Sequence, residues 1–302
     1  MKPKNIVIGL IIIIVLVVGG YLMFRGSPEP TDIPNENEVT PPPPAEVGAK
    51  QETVIGKSVG GRDITAYHYR ASADVPVDTR LLFVGGIHGG YSWNTAALAY
   101  ELIDYLERNS INAIPRNVEV TVIPVLNPDG LNKVVARTGA FTKADVSGSD
   151  EAKISSRFNA NSVDLNRNFD CEWKTQGTWQ STTVSGGSAP FSEPETMALK
   201  NFVESYKPTA VVSWYSSVGG VFSSNCKNGV LPETAALTSV YAKAAGYPAY
   251  KTFDFYAITG DMSNWFAKNN IPAISVLLTT HEDTELTKNL AGVDALFARY
   301  AK

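Results

Sequence analysis

The chain has 302 residues, a formal net charge of −4, 44% hydrophobic residues and only 2 cysteines. This length is sufficient for one sizeable α/β domain with appendages. No block of basic residues occurs in the sequence, which argues against nucleic acid as a partner.

The N-terminus contains a candidate membrane helix. Residues 6–24 are an uncharged, mostly aliphatic run of 19 residues, or about 28 Å of helix, close to the thickness of a bilayer core. Lys2 and Lys4 precede the run, so the positive-inside bias predicts that residues 1–25 form a cytoplasmic tip and a single membrane anchor, with the rest of the chain outside the cytoplasm. A cleaved signal peptide is the competing interpretation, although the run is long for one and no Ala-x-Ala site follows.

Residues 26–49 are typical of a disordered stalk. They contain four consecutive prolines at 41–44 and several acidic residues. Proline favours extended polyproline II and like charges repel, so this segment cannot bury a core. At about 3.1 Å per residue, the stalk would hold a domain up to about 70 Å from the membrane.

Residues 50–302 alternate apolar, β-branched runs with amphipathic helical patterns. We expect a single α/β domain with a mixed, mostly parallel central sheet flanked by helices on both faces. Strands are predicted at 64–69, 81–87, 118–125, 210–214 and 273–278, and helices at 94–108, 193–206, 232–245, 262–269 and 283–300. The sequence Ser192-Glu193-Pro194-Glu195 predicts a capping box at a helix start.

Three polar or glycine-rich turns follow predicted strands, at residues 85–90, 127–130 and 214–216. Ligands of open α/β sheets gather outside the carboxyl ends of the strands. The sequence therefore predicts a cleft at this edge of the sheet.

Four motifs occur in order within this domain. They are Gly-Gly-Ile-His-Gly-Gly around His88, Asn-Pro-Asp-Gly at 127–130, Arg157 followed by Asn-Arg-Asn-Phe at 166–169, and Tyr256 followed by Gly260 and Trp265. Together these four motifs resemble those of the zinc metallocarboxypeptidase family, the carboxypeptidase A-like peptidases. The resemblance to this family covers nearly all of residues 50–302.

The resemblance implies a site for a peptide C-terminus. Asn166 and Arg167 would hold the terminal carboxylate, since the planar fork of arginine matches a carboxylate bidentately. Arg157 would stabilise the oxyanion of a tetrahedral intermediate. Tyr256 would cap the bound terminal residue, and spacing after it nominates the uncharged Ser263 as the specificity residue.

The same resemblance predicts a degenerate metal site. Such enzymes hold zinc with His, Glu and His, and a nearby glutamate takes a proton from the zinc-bound water. His88 is retained as the first ligand, but Tyr91 or Ser92 replaces the glutamate ligand and Tyr215 replaces the second histidine. Leu277 stands in place of the general base. Zinc, the cofactor of the family, is therefore expected to bind weakly or not at all.

Two further histidines are present in the sequence. His68 lies in a strand pattern and is expected to be an ordinary surface or edge residue. His281 follows Leu277 closely, so a non-standard metal site from His88, His281 and Glu282 or Asp283 is the alternative.

The cysteines, Cys171 and Cys226, both fall in the domain predicted to lie outside the cytoplasm. An even count in an oxidising compartment predicts a disulfide between them. Two buried free thiols are the alternative interpretation.

Three functions follow from these features. The first is a membrane-anchored, extracytoplasmic pseudoenzyme that binds peptide or cell-wall peptide C-termini. The second is an active metallocarboxypeptidase with a rearranged zinc site. The third is a structural or adhesion module with a vestigial cleft. Zinc content and binding of free-carboxylate peptides distinguish among them.

Overall fold

The computed structural model of the chain describes residues 50–302. The predicted membrane anchor and stalk lie outside the described residues. Among the helices of residues 50–302, none combines the length and the hydropathy required to cross a membrane.

The described residues form a mixed sheet of eight strands and a separate hairpin. The ten strands are β1 Gln51–Lys57, β2 Asp63–Arg70, β3 Thr79–Val84, β4 Val118–Ile123, β5 Gln176–Trp179, β6 Thr182–Ser185, β7 Ala210–Ser216, β8 Gly220–Ser223, β9 Ala249–Tyr250 and β10 Ala273–Leu278. The large sheet has the order β1-β2-β4-β3-β7-β10-β8-β9, and β5 pairs with β6. Its four central strands, β4, β3, β7 and β10, are parallel, whereas β1, β2 and β8 pair antiparallel with their inner neighbours. The expected mixed, mostly parallel sheet is confirmed.

Helices cover both faces of this sheet, also as expected. They are α1 Trp93–Ala113, α2 Pro128–Asn132, α3 Asp150–Ser155, α4 Pro194–Tyr206, α5 Pro232–Ala245, α6 Met262–Lys268 and α7 Leu286–Tyr300. One core contains residues of α1, α5 and α7, and the other contains residues of α4 and α6. Leu81 and Phe83 belong to the first core, and Leu82 and Val84 to the second. This alternation follows from the period of two along a strand.

Two local predictions were wrong. The capping box before α4 does not form, because Glu195 accepts instead from the backbone N–H of Val59 at 3.1 Å and from Asn159 at 3.2 Å. His68 is neither an edge nor a surface residue, since β2 lies between β1 and β4 and its side chain is 1% exposed. Its Nδ1 lies 2.8 Å from the hydroxyl of Thr121 on the neighbouring strand.

Candidate functional site

A cleft of about 400 Å³ opens at the carboxyl ends of β7 and β10 and beside the turn that follows β3. His88 lies in that turn and lines the cleft. The turn needs glycine at two positions: Gly86 and Gly89 have φ of +63° and +48°, and a Cβ on Gly89 would clash with the carbonyl oxygen of Ser156. The glycine-rich sequence therefore sets the position of His88.

The predicted carboxylate clamp lies in a short 3₁₀ turn, Leu165–Arg167. Arg167 is 1% exposed, and its Nε and Nη2 donate to the carbonyl oxygen of Thr178 at 3.1 and 2.6 Å. Its Nη1 donates to the carbonyl oxygen of Asn166 at 2.6 Å. A guanidinium has five N–H donors, so two remain for a ligand in the cleft that Arg167 lines.

Both the nitrogen and the oxygen of the Asn166 side-chain amide form hydrogen bonds. Its Nδ2 donates to Oδ2 of Asp261 at 2.8 Å, while its Oδ1 accepts from the backbone N–H of Met262 at 3.1 Å. The amide is therefore part of a buried network that joins the clamp to the start of α6.

Arg157, the predicted oxyanion residue, also lines the cleft. Its Nε and Nη2 donate to Oδ2 of Asp164 at 3.0 and 2.9 Å, and both side chains are almost fully buried. The ring of Trp179 lies 4.4 Å from the guanidinium carbon. This pairing fixes the positive charge of Arg157 at the cleft and leaves three of its N–H groups for other partners.

Asp164 was not identified from the sequence as a site residue. Burial acts to raise the pKa of its carboxyl, but the charges of Arg157 and Arg167 outweigh burial and hold the pKa below its ordinary 3.8. The only signal in the sequence is its position two residues before Asn166.

His88 is a buried imidazole with spare hydrogen-bonding capacity. Neither ring nitrogen has a hydrogen-bond partner, and Nε2 lies 4.0 Å from Oδ1 of Asp164. Burial, together with the positive charge of Arg157, lowers the pKa of His88 well below 6.5. The ring is therefore neutral at pH 7 and available to a ligand or a cation.

The residues at the other predicted metal positions are engaged elsewhere. The Tyr215 hydroxyl lies 3.4 Å from Oδ1 of Asn166 and 3.2 Å from Oγ of Ser263, and burial raises its pKa well above 10. Tyr91 lines the cleft, whereas Ser92 is buried at the N-terminus of α1. Of the two candidates for the position of the missing glutamate, Tyr91 is the one that lines the cleft. Leu277 lies beside Tyr215 in the paired strands and also lines the cleft.

His281 lies at the cleft, next to Tyr91, with their ring centroids 4.5 Å apart. Its Nδ1 lies 2.8 Å from Oγ of Ser216. Glu282 forms an ion pair with Lys143 at 2.7 Å instead of turning to the histidines. Within residues 50–302, no three His, Cys, Asp or Glu side chains are grouped so that they could hold a metal ion. The structure therefore does not assemble the alternative site.

The two predicted substrate residues after β9 differ in position. Tyr256 lines the cleft and packs edge-on against Phe253, with centroids 5.0 Å apart. Ser263 is 1% exposed and lies behind Tyr215, with its Oγ 2.9 Å from that of Ser275. Asp261, which was not identified from the sequence, lines the cleft instead.

Cys171 and Cys226 form the predicted disulfide, with Cα atoms 6.2 Å apart. The free-thiol alternative was wrong. The bond links the segment that follows Arg167 to the segment that follows β8. Cys226 is adjacent in sequence to Asn225, which lines the cleft.

The sequence profile described as zinc carboxypeptidase matches residues 50–286. This match covers most of the chain, and the chain belongs to the zinc carboxypeptidase family.

Two relatives cover the chain to different extents. Murein peptide amidase A of Vibrio campbellii is 27% identical over 256 residues, which are 81% of this chain and 86% of that protein. Gamma-D-glutamyl-L-diamino acid endopeptidase 1 of Lysinibacillus sphaericus is 24% identical over 169 residues, which are 53% of this chain and 42% of that protein. The chain thus spans less than half of the length of the endopeptidase.

Solved structures share the fold. The murein-tripeptide amidase MpaA from Escherichia coli O157 superposes with a TM-score of 0.57 at 21% identity, over 89% of this chain and 97% of the other. Bovine thrombin-activatable fibrinolysis inhibitor, in complex with tick carboxypeptidase inhibitor, gives 0.63 at 15% identity, over 83% and 90%. At these identities the likeness is evidence for the fold alone.

The side chains around His88 do not fit the zinc of the family. A catalytic zinc needs three protein ligands of the His, Glu or Cys type. Here His88 packs against Tyr215 and His281 against Tyr91, and burial raises the pKa of the Tyr215 phenol well above 10. A neutral phenol is a poor substitute for imidazole or carboxylate as a metal ligand.

Proposed function

We propose that this protein is a membrane-anchored, extracytoplasmic receptor for peptide C-termini that has lost peptidase activity. Its ligand would be a peptide or cell-wall peptide with a free terminal carboxylate. The observation that carries the proposal is Arg167, a buried guanidinium at the cleft with two N–H groups left over from its backbone hydrogen bonds.

The charge at the base of the cleft supports an anionic ligand. Arg157 is neutralised by Asp164, but the positive charge of Arg167 forms no ion pair shorter than 4.0 Å within residues 50–302. A carboxylate bound end-on would satisfy the spare N–H groups of Arg167 with charge-assisted hydrogen bonds. The neutral imidazole of His88 offers a further donor or acceptor beside it.

The same cleft lacks the groups needed for hydrolysis. Leu277 cannot accept a proton, and a Tyr215 phenol whose pKa is raised by burial does not replace a histidine ligand. Water would keep its bulk pKa without a metal to lower it. Arg157 then serves as a positive side chain for binding and not for stabilising an intermediate.

The choice of peptide class is supported by the relatives. The chain aligns with most of murein peptide amidase A, whose name refers to murein peptides, and the name of the Lysinibacillus endopeptidase refers to a γ-D-glutamyl-L-diamino acid. Together with a predicted membrane anchor and stalk at residues 1–49, these names favour a cell-wall peptide outside the cytoplasm.

The proposal is tested by calorimetric titration of the purified protein with matched peptides. A peptide with a free C-terminus should bind at least about tenfold more tightly than its C-terminal amide, because the amide removes the charge that pairs with Arg167. Arg167→Met should abolish this difference. The matched control, Arg108→Met, removes an exposed arginine whose ion-pair partner within residues 50–302 is Asp104, and it should leave binding unchanged.

Equal affinity for the free and amidated peptides in the unmodified protein would overturn the proposal. So would release of terminal residues that is abolished by a chelator, since this would show a working metal site. The first outcome does not depend on whether Arg167→Met folds.

A further inference from the structure

The hairpin formed by β5 and β6 reaches both arginines of the cleft. In β5, the carbonyl oxygen of Thr178 accepts from Nε and Nη2 of Arg167 at 3.1 and 2.6 Å. The next residue, Trp179, has its ring centroid 4.4 Å from the guanidinium carbon of Arg157. Two consecutive residues of one short strand therefore contact the two guanidinium groups that line the cleft.

Gly177 leaves the space that Arg167 occupies. Side chains alternate along a strand, so residues 177 and 179 face the same side of the hairpin. Both are buried, whereas Thr178 between them is exposed. A Cβ atom on Gly177 would lie 2.7 Å from Cδ of Arg167 and 3.1 Å from its Nε. The φ of Gly177 is not in the left-handed region, so this position needs glycine for its small size and not for its backbone conformation.

The hairpin is tied by backbone hydrogen bonds to the segment that carries the carboxylate clamp. The backbone N–H of Asp164 donates to the carbonyl oxygen of Ser185 in β6 at 3.0 Å. On the other side of the clamp turn, Nδ2 of Asn168 donates to the carbonyl oxygen of Gly186 at 2.7 Å. These bonds fix the hairpin relative to the clamp, so a backbone group and not a free side chain orients Arg167.

These contacts determine which N–H groups of Arg167 are left for a ligand. Thr178 takes the Nε–H and one N–H of Nη2, and the carbonyl oxygen of Asn166 takes one N–H of Nη1. One N–H remains on each terminal nitrogen, and the two together match the two oxygens of a carboxylate. Trp179 holds the guanidinium of Arg157 by a cation–π contact in the same cleft.

We propose that β5 is a positioning element of the carboxylate site. Gly177 gives Arg167 its space, and the carbonyl group of Thr178 orients the guanidinium. Trp179 holds the guanidinium of Arg157. This inference rests on the proposed binding of C-terminal carboxylates, and it assigns a role in ligand recognition to a strand in which the sequence motifs place no site residue.

The test measures the preference for a free C-terminus, defined as the ratio of the affinities for a free peptide and for its C-terminal amide. Calorimetry on the full chain gives both affinities. Gly177→Ala should lower the ratio from at least about tenfold to below about threefold, because the added methyl group displaces the guanidinium that pairs with the carboxylate. A purely structural defect would weaken the binding of both peptides equally and leave the ratio unchanged.

A second pair of variants tests Trp179 independently of Gly177. Trp179→Leu should lower the ratio at least about threefold, because it removes the ring that holds Arg157. Trp179→Phe keeps an aromatic ring and should restore the ratio to within about twofold of the unmodified protein. The matched control, Thr183→Ala, changes an exposed side chain of β6 opposite Thr178 and should leave the ratio unchanged. Urea denaturation of each variant verifies that it is folded.

The outcomes separate this inference from the proposed function. If the unmodified protein binds free and amidated peptides equally, the proposed function fails and this inference fails with it. If the unmodified protein prefers the free peptide, and Gly177→Ala and Trp179→Leu fold and keep that preference, carboxylate binding stands but β5 does not position the arginines. If Thr183→Ala lowers the ratio as much as Gly177→Ala, the effect is not specific to the residues that contact the arginines, and the assignment is overturned.

Discussion

The ring centroids of His88 and Tyr215 lie 5.6 Å apart at the wall of the cleft. They occupy the two positions at which the family resemblance expects histidine ligands. The imidazole has both nitrogens unpartnered, whereas the phenol is engaged with Asn166 and Ser263. One of the two positions thus keeps a free metal donor, and the other has joined the hydrogen-bond network that supports the carboxylate clamp.

We predict from this arrangement that the purified protein does not retain zinc and that restoring single ligands has no effect. The triple variant Tyr91→Glu, Tyr215→His, Leu277→Glu should recover zinc and terminal-residue release, because the members of such a site act as a unit. Zinc is measured by inductively coupled plasma mass spectrometry after dialysis. The matched control carries Ser92→Glu in place of Tyr91→Glu and should stay metal-free, since Ser92 is buried and does not line the cleft. Stoichiometric zinc in the unmodified protein would contradict the prediction.

The buried pair of Arg157 and Asp164 should be important for stability. Asp164→Asn should lower the free energy of unfolding by about 3 kcal/mol, because it leaves the guanidinium buried without its counter-charge. Urea denaturation measures the change. Asp104→Asn breaks an exposed pair with Arg108 and should cost about 0.5 kcal/mol or less. Similar losses of unfolding free energy in the two variants would show that the buried ion pair contributes no more to stability than the exposed one.

Much of the fold could be predicted because its signals are local. The run Leu81 to Val84 is apolar on both faces, and in the structure its residues alternate between the two cores. The strand β1 was missed because the alternation in Gln51–Lys57 is weak and polar, as at the edge of a sheet.

Only those site residues that belong to a recognised sequence motif could be predicted. The family motifs identified Arg157, Asn166 and Arg167, and the structure places all three at the cleft. Asp261 could not be foreseen, since its exposure to the cleft depends on how α6 packs against the 3₁₀ turn at Asn166. Ser263, two positions further along the chain, does not line the cleft, and its Oγ lies 3.2 Å from the hydroxyl of Tyr215.

The N-terminal topology remains a prediction. If residues 6–24 anchor the chain with its domain outside, protease added to intact cells or spheroplasts should release a soluble fragment by cutting within residues 26–49. Immunoblotting with an antibody to the domain detects the fragment. A cytoplasmic protein serves as the protection control. A domain that stays membrane-bound and uncut, while an external marker is digested, would contradict the predicted orientation.

The disulfide should stabilise the domain through its long loop. Cys171 and Cys226 are 55 residues apart, which in the chain-entropy model corresponds to about 4 kcal/mol. We expect the double variant Cys171→Ala, Cys226→Ala to lose stability of this order in urea denaturation. A reducing agent should lower the stability of the unmodified protein and leave the double variant unchanged. If the reducing agent affects both equally, the loss does not come from the bond.

As the pH is lowered, the protein should begin to lose stability at pH values well above the ordinary pKa of a carboxyl group. Burial lowers the pKa of His68 to about 4 and that of His88 well below 6.5. In the unfolded chain both histidines take up protons near pH 6.5, so the unfolded state binds more protons than the folded state below that pH. The stability contributed by His68 is therefore complete above about pH 6.5 and falls between pH 6.5 and about 4, by up to about 1.4 kcal/mol per pH unit, and His88 acts in the same direction.

A variant of His68 tests whether histidine protonation causes the acid sensitivity, because this residue does not line the cleft. His68→Asn keeps a polar atom near the Thr121 hydroxyl but removes the titrating ring. The variant should start from a lower stability at pH 7.5, because the smaller side chain leaves space among Phe202 and Tyr206, whose rings lie 6.1 Å from the imidazole. Its stability should then fall less steeply toward pH 5 than that of the unmodified protein, as measured by urea denaturation at each pH. Parallel pH profiles for the two proteins would show that His68 is not a source of the acid sensitivity.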